Sequence, residues 1–255
     1  VIHAAGMMPI GIHGGGDQLE IIRGDAYYQS YICHLPRSVV ELALSGRLDF
    51  LSGVLFPSTC DVIRNLSGMW QLLRPDVYVR YVDLPHDFSA EIGGEFWRGE
   101  ITHLMRDMGK IAGREVTEDD LARSIAIFDQ ARDLIRALYA HRQAAPWDIP
   151  TEELYLLMRA GEVMPVEDFV VLAGDYLAAI ANEPGRPRDN SRVVVVGAFC
   201  EQPPLGLIKT IERAGCYVVD DDFLHGNRML SKRVTPRIAA GAAPSEALAM
   251  ALLED

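Results

Sequence analysis

The chain has 255 residues, enough for one large core or two modest ones, and its 49% apolar and 24% charged content is that of a globular protein. A net charge of −12 argues against non-specific binding to nucleic acid or to an anionic membrane, and no apolar run approaches the roughly 20 residues that span a bilayer. Its 4 cysteines contain no CxxC pair, which argues against a zinc ribbon or a thioredoxin-type dithiol and fits a reducing cytoplasm better than a disulfide framework.

In chain order, residues 1–13 read as a helix end or a strand running into Gly14-Gly15-Gly16-Asp17, a turn that needs unusual backbone angles. The start within an apolar segment without Met, and the finish straight after an Ala/Leu helix, lead us to expect the middle of a longer protein. Pro36 suits the first turn of a helix through Ser38, Val39, Leu42 and Ala43, which Gly46 ends. Leu48 to Phe56 reads as a buried strand stopped by Pro57, and Asp61 begins a helix through Ile63, Leu66 and Met69. Asp76 to Leu84 is a second strand, with Val77, Val79 and Tyr81 alternating with polar neighbours. This alternation of strand, loop and helix predicts a mostly parallel sheet.

The middle reads as helical, from about residue 91 to 182. Thr117-Glu118-Asp119-Asp120 is a capping sequence, and Leu121, Ile125, Phe128, Ile135 and Leu138 keep one apolar face to about residue 142. Further helices begin near Thr151 and Val166. The Pro/Gly/Arg-rich run 183–191 reads as a linker. After it come a strand over 192–196, a turn over 197–204, a helix over 205–214, Gly215 as its C-cap, and a strand from Cys216 into Asp220-Asp221-Asp222. The fold expected is therefore α/β, in two domains with mostly parallel sheets: 1–185 with a helical extension, and 191–255 as the start of a second.

Cys33 and Cys60 each sit where a structured segment runs into polar punctuation, on successive α/β units. Loops at one sheet edge are where α/β proteins build sites, so the two could serve there as ligands or nucleophiles. The competing reading is a pair of buried structural cysteines, since Cys is among the most buried residue types. Cys200 lies in a comparable loop after a strand, whereas Cys216 opens an apolar strand and reads as core. Three thiolates meeting in a cleft would suit an iron–sulfur cluster with one iron lacking a cysteine ligand. Gly197-Ala198-Phe199-Cys200-Glu201-Gln202-Pro203 has one glycine where GxGxxG has three, so NAD is not expected. No GxxxxGK[ST] or HExxH pattern is present.

These motifs resemble the subunits of 2-hydroxyacyl-CoA dehydratases and benzoyl-CoA reductases over nearly the whole chain. The likeness rests on Ala4-Ala5-Gly6-Met7-Met8-Pro9, on Tyr31-Ile32-Cys33 with Arg37, on Asp49 and Phe56-Pro57-Ser58-Thr59-Cys60-Asp61 with Arg64-Asn65, on the Cys200 segment, and on Val218 to Asp222 with Arg228. Ile12 to Asp17 and the Cys200 segment look most like the ATP-dependent benzoyl-CoA reductase branch.

The resemblance implies two α/β domains holding a 4Fe–4S cluster in the cleft between them, with Cys33 and Cys60 as ligands. It places the third cysteine ligand beyond residue 255 and makes Cys200 a neighbour of the cluster. It implies reductive dearomatisation of an aromatic acyl-CoA such as benzoyl-CoA. The implied partners are a homologous cluster-bearing subunit, separate electron-activating subunits that hydrolyse ATP, and ferredoxin as donor. His34 and Glu201, beside the cysteine loops, are candidate proton donors, and Arg37 and Arg64 are candidate contacts for the CoA phosphates. Two other functions stay open: radical dehydration as a 2-hydroxyacyl-CoA dehydratase subunit, and a non-catalytic scaffold or cluster-insertion role.

Overall fold

A computed structural model describes residues 1–16, 19–197, 203–223, 226, 230 and 232–254. The fold is α/β, mostly helical, with two short parallel sheets. The chain divides into two compact units: residues 12–100, and residues 1–11 with 101–255.

The smaller unit is built on a β-α-β turn of chain. Strand β1 (Gly53–Pro57) runs parallel to β2 (Tyr78–Val82), paired from Gly53↔Tyr78 to Pro57↔Val82. Helices α1 (His34–Leu44) and α2 (Asp61–Leu73) pack against each other, and α2 packs on both strands. Val39, Val40 and Ala43 of α1 join Val54 and Phe56 of β1 and Leu66 and Trp70 of α2 in one core. Val77, Val79 and Tyr81 all face that core, as their alternation predicts. Trp70 is 1% exposed and meets Phe56 with ring centroids 5.8 Å apart. Each such side chain contributes about 1.5–3 kcal/mol by leaving water.

Strand β1 is shorter than expected. Residues 48–51 fold into turns, with Asp49 N–H donating to Gly46 O and Leu51 N–H to Leu48 O. Arg74 binds both Asp49 (2.7 Å) and Asp76 (3.1 Å), which holds the approaches to the two strands as loops.

In the larger unit, α4 (Glu118–Ala144), α5 (Thr151–Gly161) and α6 (Val166–Asn182) share a core. Ile135, Leu138 and Tyr139 of α4 pack with Leu154, Leu157 and Met158 of α5 and with Phe169, Ala173 and Ile180 of α6. The preceding helix α3 (Glu95–Ala112), entered through a wide π turn over Ala90–Gly94, buries Ile101, Leu104 and Met108 in this unit. Thr117 and Asp120 close the expected capping box at the start of α4. The first residues form a short 3-10 turn (His3–Ala5), where His3 bridges Ser124 Oγ (2.8 Å) and Glu167 (2.9 Å). Ser124 is buried, so this Ser–His–Glu contact ties the N-terminal segment to α4 and α6 and is no nucleophile.

A second β-α-β turn follows: β3 (Ser191–Val195), α7 (Leu205–Arg213) and the parallel strand β4 (Cys216–Asp221). Gly215 (φ 88°) makes the left-handed step between α7 and β4. Val193 pairs with Val218 but Val194 pairs with Asp220, so a bulge leaves Val219 over. Past the bulge, Asp221 turns inward and its carboxylate meets Arg142 Nη2 at 2.6 Å, both side chains 1% exposed. The Tyr139 hydroxyl (3.1 Å) and the Phe223 N–H (3.1 Å) donate to the same carboxylate. Helices α8 (Thr235–Ala239) and α9 (Pro244–Leu253) complete the chain, with Asp129 of α4 accepting from the backbone of Val234 and Thr235.

The division expected at residues 183–191 falls inside this unit. That stretch is held down: Gly185 N–H donates to Asp148 (2.7 Å) and Arg188 N–H to the Tyr217 hydroxyl (2.9 Å). Cys216 opens β4 as expected, but it is only half-buried, where the sequence suggested core.

Candidate functional site

Cys33 and Cys60 occupy equivalent places, each the N-cap of the helix that follows it. Both are exposed, neither is in a disulfide, and neither side chain caps its helix. The buried structural reading is therefore wrong for both. Cys60 follows the C-terminal end of β1, the edge at which open parallel sheets take ligands. The loop there is fixed by Ser58, whose N–H donates to Val82 O (2.9 Å) and whose hydroxyl accepts from Leu84 N–H (2.9 Å).

Burial pushes the Tyr28 phenol up to about 12, with smaller additions from Cys33 and Cys60. Its hydroxyl is buried and has no hydrogen-bond partner among the described residues, while its ring packs on the core of the smaller unit.

The loop that carries Tyr28 is anchored by Glu41, which sequence reasoning passed over. Glu41 is 6% exposed, on the buried face of α1. One carboxylate oxygen accepts from the backbone N–H of Ile22 (3.0 Å), Arg23 (2.6 Å) and Gly24 (2.8 Å). Those bonds, the Gly24 one foremost, hold its carboxyl below the usual range. Gly24 is required here, because a Cβ would stand 2.2 Å from Arg37 O. The signal was an acid inside the apolar run Val39-Val40-Glu41-Leu42-Ala43. The Gly14-Gly15-Gly16 turn likewise docks on α1: Gly15 N–H donates to Ser38 Oγ (3.2 Å), and Gly14 has φ 77°.

His34 is the first residue of α1, directly after Cys33. Arg37, one turn on, donates to Asp25 at 2.8 Å. Arg64, one turn after Cys60, is exposed and lies 5.4 Å over the Tyr81 ring. Hydrogen bonding to Tyr81, then the charges of Asp61 and Asp83, raises its pKa further and keeps it a cation. Cys200 and Glu201 lie outside the described residues.

Among the described residues no three His, Cys, Asp or Glu side chains converge as a metal site. What is present fits part of an iron–sulfur centre: two thiols on helix N-caps, where anionic groups are favoured.

The family model of the 2-hydroxyglutaryl-CoA dehydratase D-component matches residues 1–255. The chain belongs to that family. Among its relatives, a benzoyl-CoA reductase subunit of Thauera aromatica is 50% identical over 255 residues, covering 100% of this chain and 65% of that protein. The (R)-phenyllactyl-CoA dehydratase beta subunit of Clostridium sporogenes is 25% identical over 237 residues, 92% of this chain and 62% of the relative. The (R)-2-hydroxyglutaryl-CoA dehydratase beta subunit of Acidaminococcus fermentans is 24% identical over 229 residues, 89% of this chain and 60% of the relative. The chain thus spans under two thirds of the length of these family members. No helix among the described residues is long and apolar enough to cross a membrane.

Proposed function

We propose that this chain is the greater part of a cluster-bearing subunit of an ATP-dependent benzoyl-CoA reductase, with Cys33 and Cys60 as two ligands of a 4Fe–4S cluster. The observation that carries the reading is 50% identity to a benzoyl-CoA reductase subunit across every residue of the chain. The balanced reaction is benzoyl-CoA plus two electrons and two protons, giving a cyclic dienoyl-CoA with two new C–H bonds. When bound, the cluster supplies single electrons at a potential that no side chain reaches.

The chain's own residues bind and orient. Cys33 and Cys60 hold iron at the N-termini of α1 and α2, whose positive ends favour an anionic group. His34 and Glu201 are the proposed proton donors. Arg64, exposed and oriented by Tyr81, takes a CoA phosphate, and Arg37 does so together with its Asp25 partner. A homologous cluster-bearing subunit forms the opposite wall of the site, while ATP-hydrolysing subunits fed by ferredoxin deliver electrons in the cytoplasm.

Kinship with the dehydratase beta subunits favours a second reading, radical dehydration of a 2-hydroxyacyl-CoA with one recycled electron. Anaerobic purification of the full-length protein with its partners, with iron and sulfide analysis and a count of reductant per turnover, separates the readings. Two electrons consumed per benzoyl-CoA support the reductase. Reductant needed only in catalytic amounts supports the dehydratase. Iron-free protein without turnover supports the scaffold.

A further inference from the structure

Strands β1 and β2 are paired as far as Pro57 and Val82, and Ser58 N–H then donates to Val82 O (2.9 Å). In an evenly spaced parallel ladder the next bond runs from Leu84 N–H to the Ser58 carbonyl. Here it runs to the Ser58 hydroxyl oxygen instead (2.9 Å). The side chain stands in for its own carbonyl, so β2 keeps a partner while the backbone of β1 leaves the sheet. The departure is sharp. Thr59 N–H turns back to Pro57 O (2.8 Å), and Cys60, extended at φ −165°, accepts from Ile63 N–H (3.1 Å) and Arg64 N–H (3.3 Å) as α2 begins. Leu84 N–H also meets the Asp83 carboxylate (3.2 Å), but that bond stays within one segment and ties nothing across the sheet. Without the hydroxyl, the acceptor that the ladder offers Leu84 is the carbonyl of residue 58. Taking it would lengthen β1 and draw Thr59 and Cys60, both exposed, toward the sheet.

We infer that Ser58 is the positioning residue of Cys60: its hydroxyl ends the β1–β2 ladder in place of a backbone carbonyl and so turns the chain out of the sheet where the thiol is presented. As a role in iron binding, the inference rests on the cluster reading proposed above. Position 58 requires an acceptor oxygen on Cβ, which Thr supplies and Ala does not. Cys33 precedes α1, outside this ladder, and serves as an internal control.

The test uses the full-length protein with its partner subunits, purified anaerobically as wild type, Ser58→Ala and Ser58→Thr. Iron and sulfide are assayed. After chelation of the iron, alkylation of Cys60 and of Cys33 by iodoacetamide is timed by peptide mass spectrometry. Ser58→Ala is expected to slow Cys60 relative to Cys33 about fivefold, the ratio that one net hydrogen bond sustains, and to hold less iron than wild type. Ser58→Thr should keep the wild-type ratio and iron content. A Cys60-to-Cys33 ratio in Ser58→Ala that equals or exceeds wild type overturns the role of Ser58 and leaves the cluster reading standing. Loss of the wild-type ratio in Ser58→Thr overturns it too, because the oxygen is then not the cause. In the wild type, a Leu84 amide that exchanges with D2O as fast as an unbonded one overturns it without reference to any variant. Iron-free wild type that still shows the slowing in Ser58→Ala overturns the cluster reading and keeps Ser58 as the residue that places the thiol.

Discussion

Replacing Arg142 by Met removes the counter-charge of Asp221 while keeping most of the buried volume. Both side chains are 1% exposed and their closest approach is 2.6 Å, so neither charge is solvated by bulk water. In the variant the Asp221 carboxylate keeps two donors, the Tyr139 hydroxyl and the Phe223 N–H, and no cation. Stripping one partner from a buried pair costs about 3–5 kcal/mol, most of it the penalty of the stranded charge. The guanidinium also lies 4.4 Å from the Tyr139 ring centroid, a contact worth about 1 kcal/mol that Met only partly replaces. With a urea slope of about 2–3 kcal/mol per molar, the unfolding midpoint should fall by about 1–2 M. Trp147, 6.3 Å from Tyr217 of β4, is a fluorescence reporter within the same unit. Arg142→Met with Asp221→Asn should cost less than the sum of the single changes, because no charge is left stranded while Asn still accepts from Phe223. A loss under about 1 kcal/mol for Arg142→Met, or strict additivity in the double variant, would refute the reasoning.

Cys33→Ala and Cys60→Ala should each lower iron content and abolish turnover in the full-length protein, whereas Cys216→Ala should keep its iron and lose roughly 1 kcal/mol of packing; iron analysis and urea unfolding check both. Glu41→Gln should cost about 1–3 kcal/mol, because three backbone N–H groups lose a charged acceptor. Since the folded carboxyl titrates below its ordinary value of 4.5, this stabilisation is present above that pH and is lost as pH falls through the depressed folded value. Wild type and Glu41→Gln should therefore converge in stability under acid; a constant gap down to the lowest pH at which both fold would contradict this. Arg64→Ala should weaken CoA-thioester binding about tenfold with iron unchanged, as read by calorimetry.

The elements that local sequence controls were the legible ones. Pro36 and Gly46 bracket α1, Thr117 and Asp120 build their capping box, and Val77, Val79 and Tyr81 face the core as their alternation requires. That Cys33 and Cys60 each stand at a helix start was also readable, because Pro36 and Asp61 mark those starts; only Cys60 follows a strand among the described residues. Contacts made at long range were not readable. Glu41 is an ordinary helix residue until the backbone of residues 22–24 arrives. At 183–191 a linker-like run carries backbone amides bound by Asp148 and Tyr217.

The bulge at Val219 has a consequence for how the second sheet finds its pairing. A strand slipped by one residue normally turns its inward set outward and is penalised at once. Here the residues after Val219 are three acids in a row, each with its own partner: Asp220 with Gln143 (3.3 Å), Asp221 with Arg142 (2.6 Å) and Asp222 with the Gly197 N–H (3.1 Å). An unbulged strand would continue inward from Val218 to Asp220 and would still offer Arg142 a carboxylate. The ion pair alone is thus nearly degenerate between the two alignments. Discrimination falls to contacts other than the ion pair, such as the Phe223 N–H bond to Asp221 and the burial of Phe223 itself. Such a sheet is frustrated by its own redundancy. Its refolding should contain a slow population in which the wrong aspartate has captured the arginine.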